Sequence, residues 1–201
     1  VSKLIKRTIK EHKRIIFNGD GYSVEWKKEA ERRGLLNLKT TVDCMPYFIS
    51  EKSIKLFTEH KVFTEIELHS RYEIYLEQYS KVVHIEALTA LDMLHKEIIP
   101  AVASSAASKK AISSALSTSF EEKLITRLSS LAEELCKLTS ELDTAVHSRS
   151  SFSSALDEAT YYRDVVIAKM TDVRRVADEL EYRVGEKYWP YPTYGDLLFK
   201  I

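Results

Sequence analysis

Few residues in this chain have the types and spacing that chemistry requires. Two of the five glycines stand in "NGDG", Asn18 to Gly21, between apolar stretches. A phosphate loop would need further glycines and a Lys-Ser/Thr pair, and a dinucleotide fingerprint would need a preceding strand and a third glycine. Neither is present, and an EF-hand loop would need carboxylates at alternate positions. The composition therefore predicts a tight turn. The six histidines, His12, His60, His69, His84, His95 and His147, are scattered. Di-metal bundles use paired Glu-x-x-His motifs on facing helices. Only "DMLH", Asp92 to His95, approaches that pattern, and it has no mate. His84 and His95 lie three helical turns apart, so they are read as surface or core-edge residues.

Tyr72, Tyr75 and Tyr79 could stack nucleic-acid bases. Their helical spacing, with Glu73 and Glu77 between them, makes core or interface positions the better reading. No GxSxG, HExxH or activated-cysteine arrangement occurs. No catalytic, cofactor-binding or metal-binding residue is assigned from chemistry alone.

Length and charge bound the rest. The 201 residues suffice for one sizeable domain, or one domain and part of another. Lysine plus arginine equals aspartate plus glutamate at 30 each, which gives no electrostatic case for nucleic acid or a membrane surface. The first 63 residues hold 14 basic and 8 acidic side chains, the remainder 16 and 22, a scatter read as solvated helix surface. Cys44 and Cys136 form no CxxC pair, which fits a reduced, cytoplasmic chain. No apolar run approaches the roughly 20 residues a membrane helix needs. The opening "VSKLIKRTIK" lacks an initiating Met and begins inside an amphipathic stretch, as expected of a piece of a longer protein.

The elements that position these residues are helices. Glycines stand at 19, 21, 34, 185 and 195, so residues 35–184 contain none, and only Pro46 and Pro100 interrupt them. The absence of breakers predicts long helices and an all-α fold. Ser23 is placed to cap a short helix that Gly34 ends. The stretch "LLNLKTTVDCMPYF" reads as a connector, followed by a helix over "SEKSIKLFTEHK". Thr64 and Glu67 form a capping box that opens a helix running to Ile99. Its expected stripe is Leu68, Tyr72, Tyr75, Tyr79, Val82, Ala87, Leu91, Leu94 and Ile98, with a kink at Pro100. The Ser/Ala-rich stretch near 103–117 is left open between helix and mobile connector. "TSFE", Thr118 to Glu121, is a second capping box. Leu124, Leu128, Leu131, Leu135, Leu138, Leu142 and Ala145 follow at alternating four- and three-residue steps, a heptad seam. After a turn at "HSRSS", a last seam runs from Phe152 to Val184 through Ala155, Ala159, Tyr162, Val166, Met170, Val173, Ala177 and Leu180, sliding by one near Met170. The pattern predicts an antiparallel, coiled-coil-like long-helix bundle. The ending "EKYWPYPTYGDLLFKI" is read as an irregular aromatic tail that packs on a body.

As continuous text, "EHKRIIFNGDGYSVEWKKEAERRGLLNLKTTVD" and "PYFISEKSIKLFTEHKVFTEIELHSRYEI" closely resemble the C-terminal part of type III glutamine synthetases. "QYSKVVHIEALTALDM", "KEIIPAV" and the closing "WPYPTYGDLLF" extend the resemblance over nearly the whole chain, weakest from about Ala103 to Ser154. It implies a parent enzyme that ligates ammonia to glutamate with ATP and Mg or Mn. It also implies a homo-oligomeric parent whose active-site carboxylates lie on a curved antiparallel sheet. No position here matches that family's metal-ligand motifs, so no site residue is carried over. The organisation expected is 1–34 as a helix-turn-helix end of the catalytic domain, 35–63 a connector with short helices, 64–184 a helical bundle domain, and 185–201 a docking tail. The leading functional reading is a structural or oligomerisation domain that contacts the rest of the catalytic domain and is not itself catalytic. Two rivals stand beside it: a coiled-coil module that binds a regulatory protein, and an independent bundle enzyme with a metal site.

Overall fold

The structure is a computed structural model and describes residues 1–116, 119–148, 152–192 and 194–199. Among the described residues every regular element is helical, so the fold is all-α. No helix among them is long and apolar enough to cross a membrane.

The N-terminal segment consists of α1 (Ser2–Glu11), a 3-10 turn (Lys13–Ile15) and α2 (Val24–Arg32). The Ser23 hydroxyl accepts the Trp26 N–H at 3.2 Å, satisfying one of the free donors at the start of α2. Arg32 is followed by a Schellman stop. Leu35 donates its N–H to the Ala30 carbonyl and Gly34 to that of Glu31, both at 2.9 Å. Gly34 makes this closure possible because it takes φ +71, where a Cβ is disfavoured.

The expected connector contains a helix. The Thr40 side chain accepts from the Asp43 N–H at 3.2 Å and caps α3 (Thr41–Phe48), within which Pro46 lies. Thr40-x-x-Asp43 is the local signal for it, and Pro46 argues the other way. Two short helices thus lie between α2 and the bundle, α3 and α4 (Glu51–Glu59).

Three long helical rods form the body. The first is α5 (Glu65–Met93), a π turn (Leu94–Ile98) and α6 (Ile99–Leu116), so the stretch at 103–116 is helix. Thr64 and Glu67 make the expected capping box, each side chain accepting the other residue's backbone N–H. The π turn precedes Pro100. A proline ring collides with the carbonyl four residues back and supplies no N–H. Here the Ile99 N–H reaches the Leu94 carbonyl, five residues back, which widens the turn ahead of the ring.

The second rod is α7 (Ser119–His147); the capping box expected at Thr118 to Glu121 lies partly outside the described residues. The third comprises α8 (Ala155–Tyr161), a π turn (Tyr162–Val166) and α9 (Ile167–Arg183). In this second π turn the Ile167 N–H bonds the Tyr162 carbonyl. One extra residue is thereby inserted where the apolar spacing runs 4, 4 between Tyr162, Val166 and Met170. The slide expected near Met170 is absorbed a turn earlier than the sequence implies.

Salt bridges set the register between α7 and the third rod. Arg127 pairs with Glu179 at 2.8 Å, Arg175 with Glu134 at 2.6 Å and Lys169 with Glu141 at 3.1 Å. Partners fall in number on one helix as they rise on the other, so the two run antiparallel. Between them the heptad seam closes within the chain. Leu128, Leu131, Leu135 and Leu142 have no exposed surface, and they meet Val166, Val176 and Leu180 in one core. On α5 the stripe differs from expectation. Leu76 and Val83 are buried, and Tyr75 and Val82 face out at 43% and 46% exposure. The buried set steps by four three times from Leu68 to Ser80, counting half-buried Tyr72, before the three-residue step to Val83. That spacing stays near the 3.6-residue period of a helix. Tyr72 and Tyr79 are half-buried, as a core-edge reading requires.

α3 is tied to this body by a smaller core of Val42, Leu76 and Ala159, and by Arg163, whose Nη1 donates to Asp43 at 2.6 Å. The tail packs on the same molecule. Tyr188, Trp189 and Tyr191 lie against the main core, and Trp189 meets Tyr191 edge-on at 6.4 Å. Burial pushes the Tyr191 hydroxyl above its ordinary range. The tail is not wholly irregular, since Tyr194–Phe199 forms a short helix, α10.

Candidate functional site

NGDG is a turn in the structure. Asp20 Oδ1 accepts the Tyr22 N–H at 2.9 Å, closing the loop on itself. Phe17 stacks on Trp26 with centroids 4.5 Å apart, and a Cβ on Gly19 would stand 2.5 Å from the Phe17 ring. Arg33 ties the end of α2 to the segment before the turn, donating through Nη1 to the carbonyls of Arg14 at 2.8 Å and Ile16 at 2.6 Å. Its Nε also reaches Glu29 at 2.5 Å. Hydrogen bonds from Arg32 and Arg33 pull the Glu29 carboxyl down to about 2. The arginines here brace a fold, and their donors are directed at the protein's own groups.

Five histidines are exposed and one is not. His84 is half-buried, and its Nδ1 lies 3.1 Å from the Tyr162 hydroxyl on the facing rod. The two rings meet edge-on at 5.9 Å. Sequence spacing could not have found this pair, because its members are 78 residues apart. His95 is exposed in the first π turn, and "DMLH" contributes instead to an ion pair between Asp92 and Lys96. Among the described residues no three His, Cys, Asp or Glu side chains converge on a point where a metal could sit. The donor set of the described residues does not fit the divalent metal that the family resemblance implies. The described residues are therefore assigned no step that runs through ATP or metal.

The His84–Tyr162 pair borders a cavity of about 350 Å³ where α5, the end of α7 and the start of the third rod meet. Its walls include Ser80, Phe152 and Tyr161. The Tyr161 hydroxyl donates to the Ala145 carbonyl at 2.9 Å, fixing the aromatic wall.

Apolar surface also stands unburied outside the cavity. α1 carries Leu4, Ile5 and Ile9 on adjacent turns, each more than half exposed, and none of its residues is buried. The outer face of α5 shows Ile66, Ile74, Tyr75, Val82 and Ile85. Leu197, Leu198 and Phe199 of α10 are exposed as well. Scattered apolar residues are ordinary on a surface, but helical stripes of them mark faces that bind something.

A family model described as the glutamine synthetase C-terminal domain matches residues 1–117. The chain is 41% identical over 208 residues to a glutamine synthetase of Butyrivibrio fibrisolvens, covering 100% of this chain and 30% of that protein. It is 37% identical over 209 residues to a type-3 glutamine synthetase of Dictyostelium discoideum, covering 98% and 28%. It is 28% identical over 210 residues to a glutamine synthetase of Bacteroides fragilis, covering 99% and 29%. The chain therefore spans less than a third of the length of these curated relatives. With matched text running from the NGDG turn through α5 and into α6, the chain belongs to the glutamine synthetase C-terminal domain family.

Proposed function

We propose that this chain is the C-terminal helical part of a type III glutamine synthetase, an ATP-dependent glutamate–ammonia ligase, and that its own task is structural. Residues 1–34 form the last helices of the catalytic domain, and the three-rod bundle packs against that domain and shapes contacts between subunits. The carrying observation is α1, an amphipathic helix with an apolar stripe and no buried residue. Burying such a side chain is worth about 1.5–3 kcal/mol, so Leu4, Ile5 and Ile9 leave substantial driving force unused in this chain alone. The rival in which the heptad leucines recruit a regulatory protein loses support, because those leucines are consumed inside the chain. ATP and divalent metal would then be bound by the remainder of the synthetase.

The test is Ile5→Glu combined with Ile9→Glu. Both positions are about half exposed here, so the 201-residue chain should melt as the parent does. In the complete synthetase the same pair should disrupt assembly and ligase activity. Unchanged assembly and activity there would refute the docking role.

A further inference from the structure

The cavity between the rods holds a feature that core packing does not explain. Ser80 is 3% exposed and lines the cavity, yet its Oγ has no hydrogen-bond partner among the described residues. A hydroxyl inside a helix can satisfy itself by donating to the carbonyl four residues back. Thr89, Thr126, Thr139, Thr144, Thr160 and Thr171 all do so in this chain, at 2.7–2.9 Å. Ser80 does not. Ser105 shares the missing bond, but it has no exposed surface and stands apart from this cavity. Buried polar atoms are almost always satisfied, and one left open at a cavity wall is a place for a ligand atom.

Around Ser80 the cavity is lined by polar, aromatic and charged groups. One helical turn along, His84 has Nδ1 engaged with Tyr162 and Nε2 without a partner among the described residues. Phe152 and Tyr161, with ring centroids 5.3 Å apart, make an aromatic side to the space. Lys81 and Glu158 also line it and bring opposite charges from different rods. Lys81 has one ion pair, with Glu77 at 3.2 Å, and remains largely exposed. Glu158 has no ion pair among the described residues. A volume of about 350 Å³ is within the range of small-molecule sites, roughly 300–1,000 Å³.

We propose that the cavity bounded by Ser80, His84, Glu158 and Tyr162 binds a small zwitterion, an α-amino acid with an aromatic or bulky apolar side chain. The carboxylate faces Lys81 and the Ser80 hydroxyl, the ammonium faces Glu158, and the side chain lies on Phe152 and Tyr161. The site spans two rods, so occupancy should stiffen the end of the bundle nearest α3. It is independent of the docking role proposed above.

Three probes that share one ring separate the charges: L-phenylalanine, 3-phenylpropionate, which lacks the ammonium, and 2-phenylethylamine, which lacks the carboxylate. Titration of the 201-residue chain, followed by amide NMR, should give saturable shifts at Ser80, His84 and Tyr162 with L-phenylalanine. Each single-charge probe should bind at least about tenfold more weakly, the loss of one hydrogen-bonded charge. Ser80→Ala should weaken L-phenylalanine several-fold without lowering the melting temperature, because it deletes an unsatisfied hydroxyl. Glu158→Gln should remove the preference for L-phenylalanine over 3-phenylpropionate while leaving 3-phenylpropionate binding intact. Absence of saturable shifts with L-phenylalanine at millimolar concentration overturns the proposal. Equal binding of 3-phenylpropionate to the unaltered chain also overturns it, by making the cavity a carboxylate site.

Discussion

Truncating Leu131 to alanine tests whether the long seam is a core within one chain. Leu131 has no exposed surface, and the Arg127–Glu179 and Glu134–Arg175 bridges place it near the level of Val176 and Ala177 on the facing rod. The change removes three carbons, worth about 2.4 kcal/mol at about 0.8 per buried carbon. An unfilled cavity adds to this, and measured Leu→Ala costs run from about 2 to 5 kcal/mol. Taking ~3 kcal/mol, and about 2–4 °C per kcal/mol for a chain of this size, the melting temperature should fall by about 6–12 °C. Differential scanning calorimetry reads this directly. Leu197→Ala, on an exposed residue of α10, is the control and should shift it by less than about 2 °C. Leu131→Asp should cost more than the alanine, because it buries an unpaired charge. The transition should also be independent of protein concentration, since the seam closes inside the chain. A Leu131→Ala variant that melts with the parent, or a parent transition that rises with concentration, would refute the reasoning.

Gly34→Ala forces a Cβ into the left-handed region at φ +71, at about 1–2 kcal/mol. Exchange of the Leu35 amide, bonded to the Ala30 carbonyl, should speed up by roughly 5- to 30-fold, and an unchanged rate would show the stop is not glycine-dependent. Acid should destabilise the protein through Glu29 and Glu179, whose carboxyls are held low by Arg32 and Arg33 and by Arg127. A carboxyl depressed in the folded state contributes stability that is complete above its ordinary value, and it is lost as pH falls toward the folded value. For Glu29 that window runs from 4.5 to about 2, so Glu29→Gln should flatten this part of the acid limb, read by amide exchange in α2.

The heptad leucines make the α7 seam legible, because four- and three-residue steps of a single residue type permit one face only. The Thr64–Glu67 box and Gly34 are equally plain, since each is a local rule satisfied within four residues. On α5 the sequence points to the wrong register at Tyr75 and Val82. Aromatic and β-branched residues make a second stripe one residue off the true one, and only packing against Val42 and Ala159 selects Leu76. Pro46 hides α3. The π turns shift register by one residue, a displacement that spacing can hint at near Met170 but cannot locate. The Ser80 and His84 cavity is not legible at all, because its polar groups come from α5 and the third rod, which are far apart in sequence and meet only in the folded chain.

The central claim is that α1 is a docking element of a larger synthetase. Hydrogen exchange, compared between the 201-residue chain and the complete synthetase, tests it most directly. In the isolated chain α1 amides should exchange far faster than those of α7 and α9, and in the complete enzyme they should be protected to a similar degree as the rods. Equal exchange of α1 in both would contradict the claim.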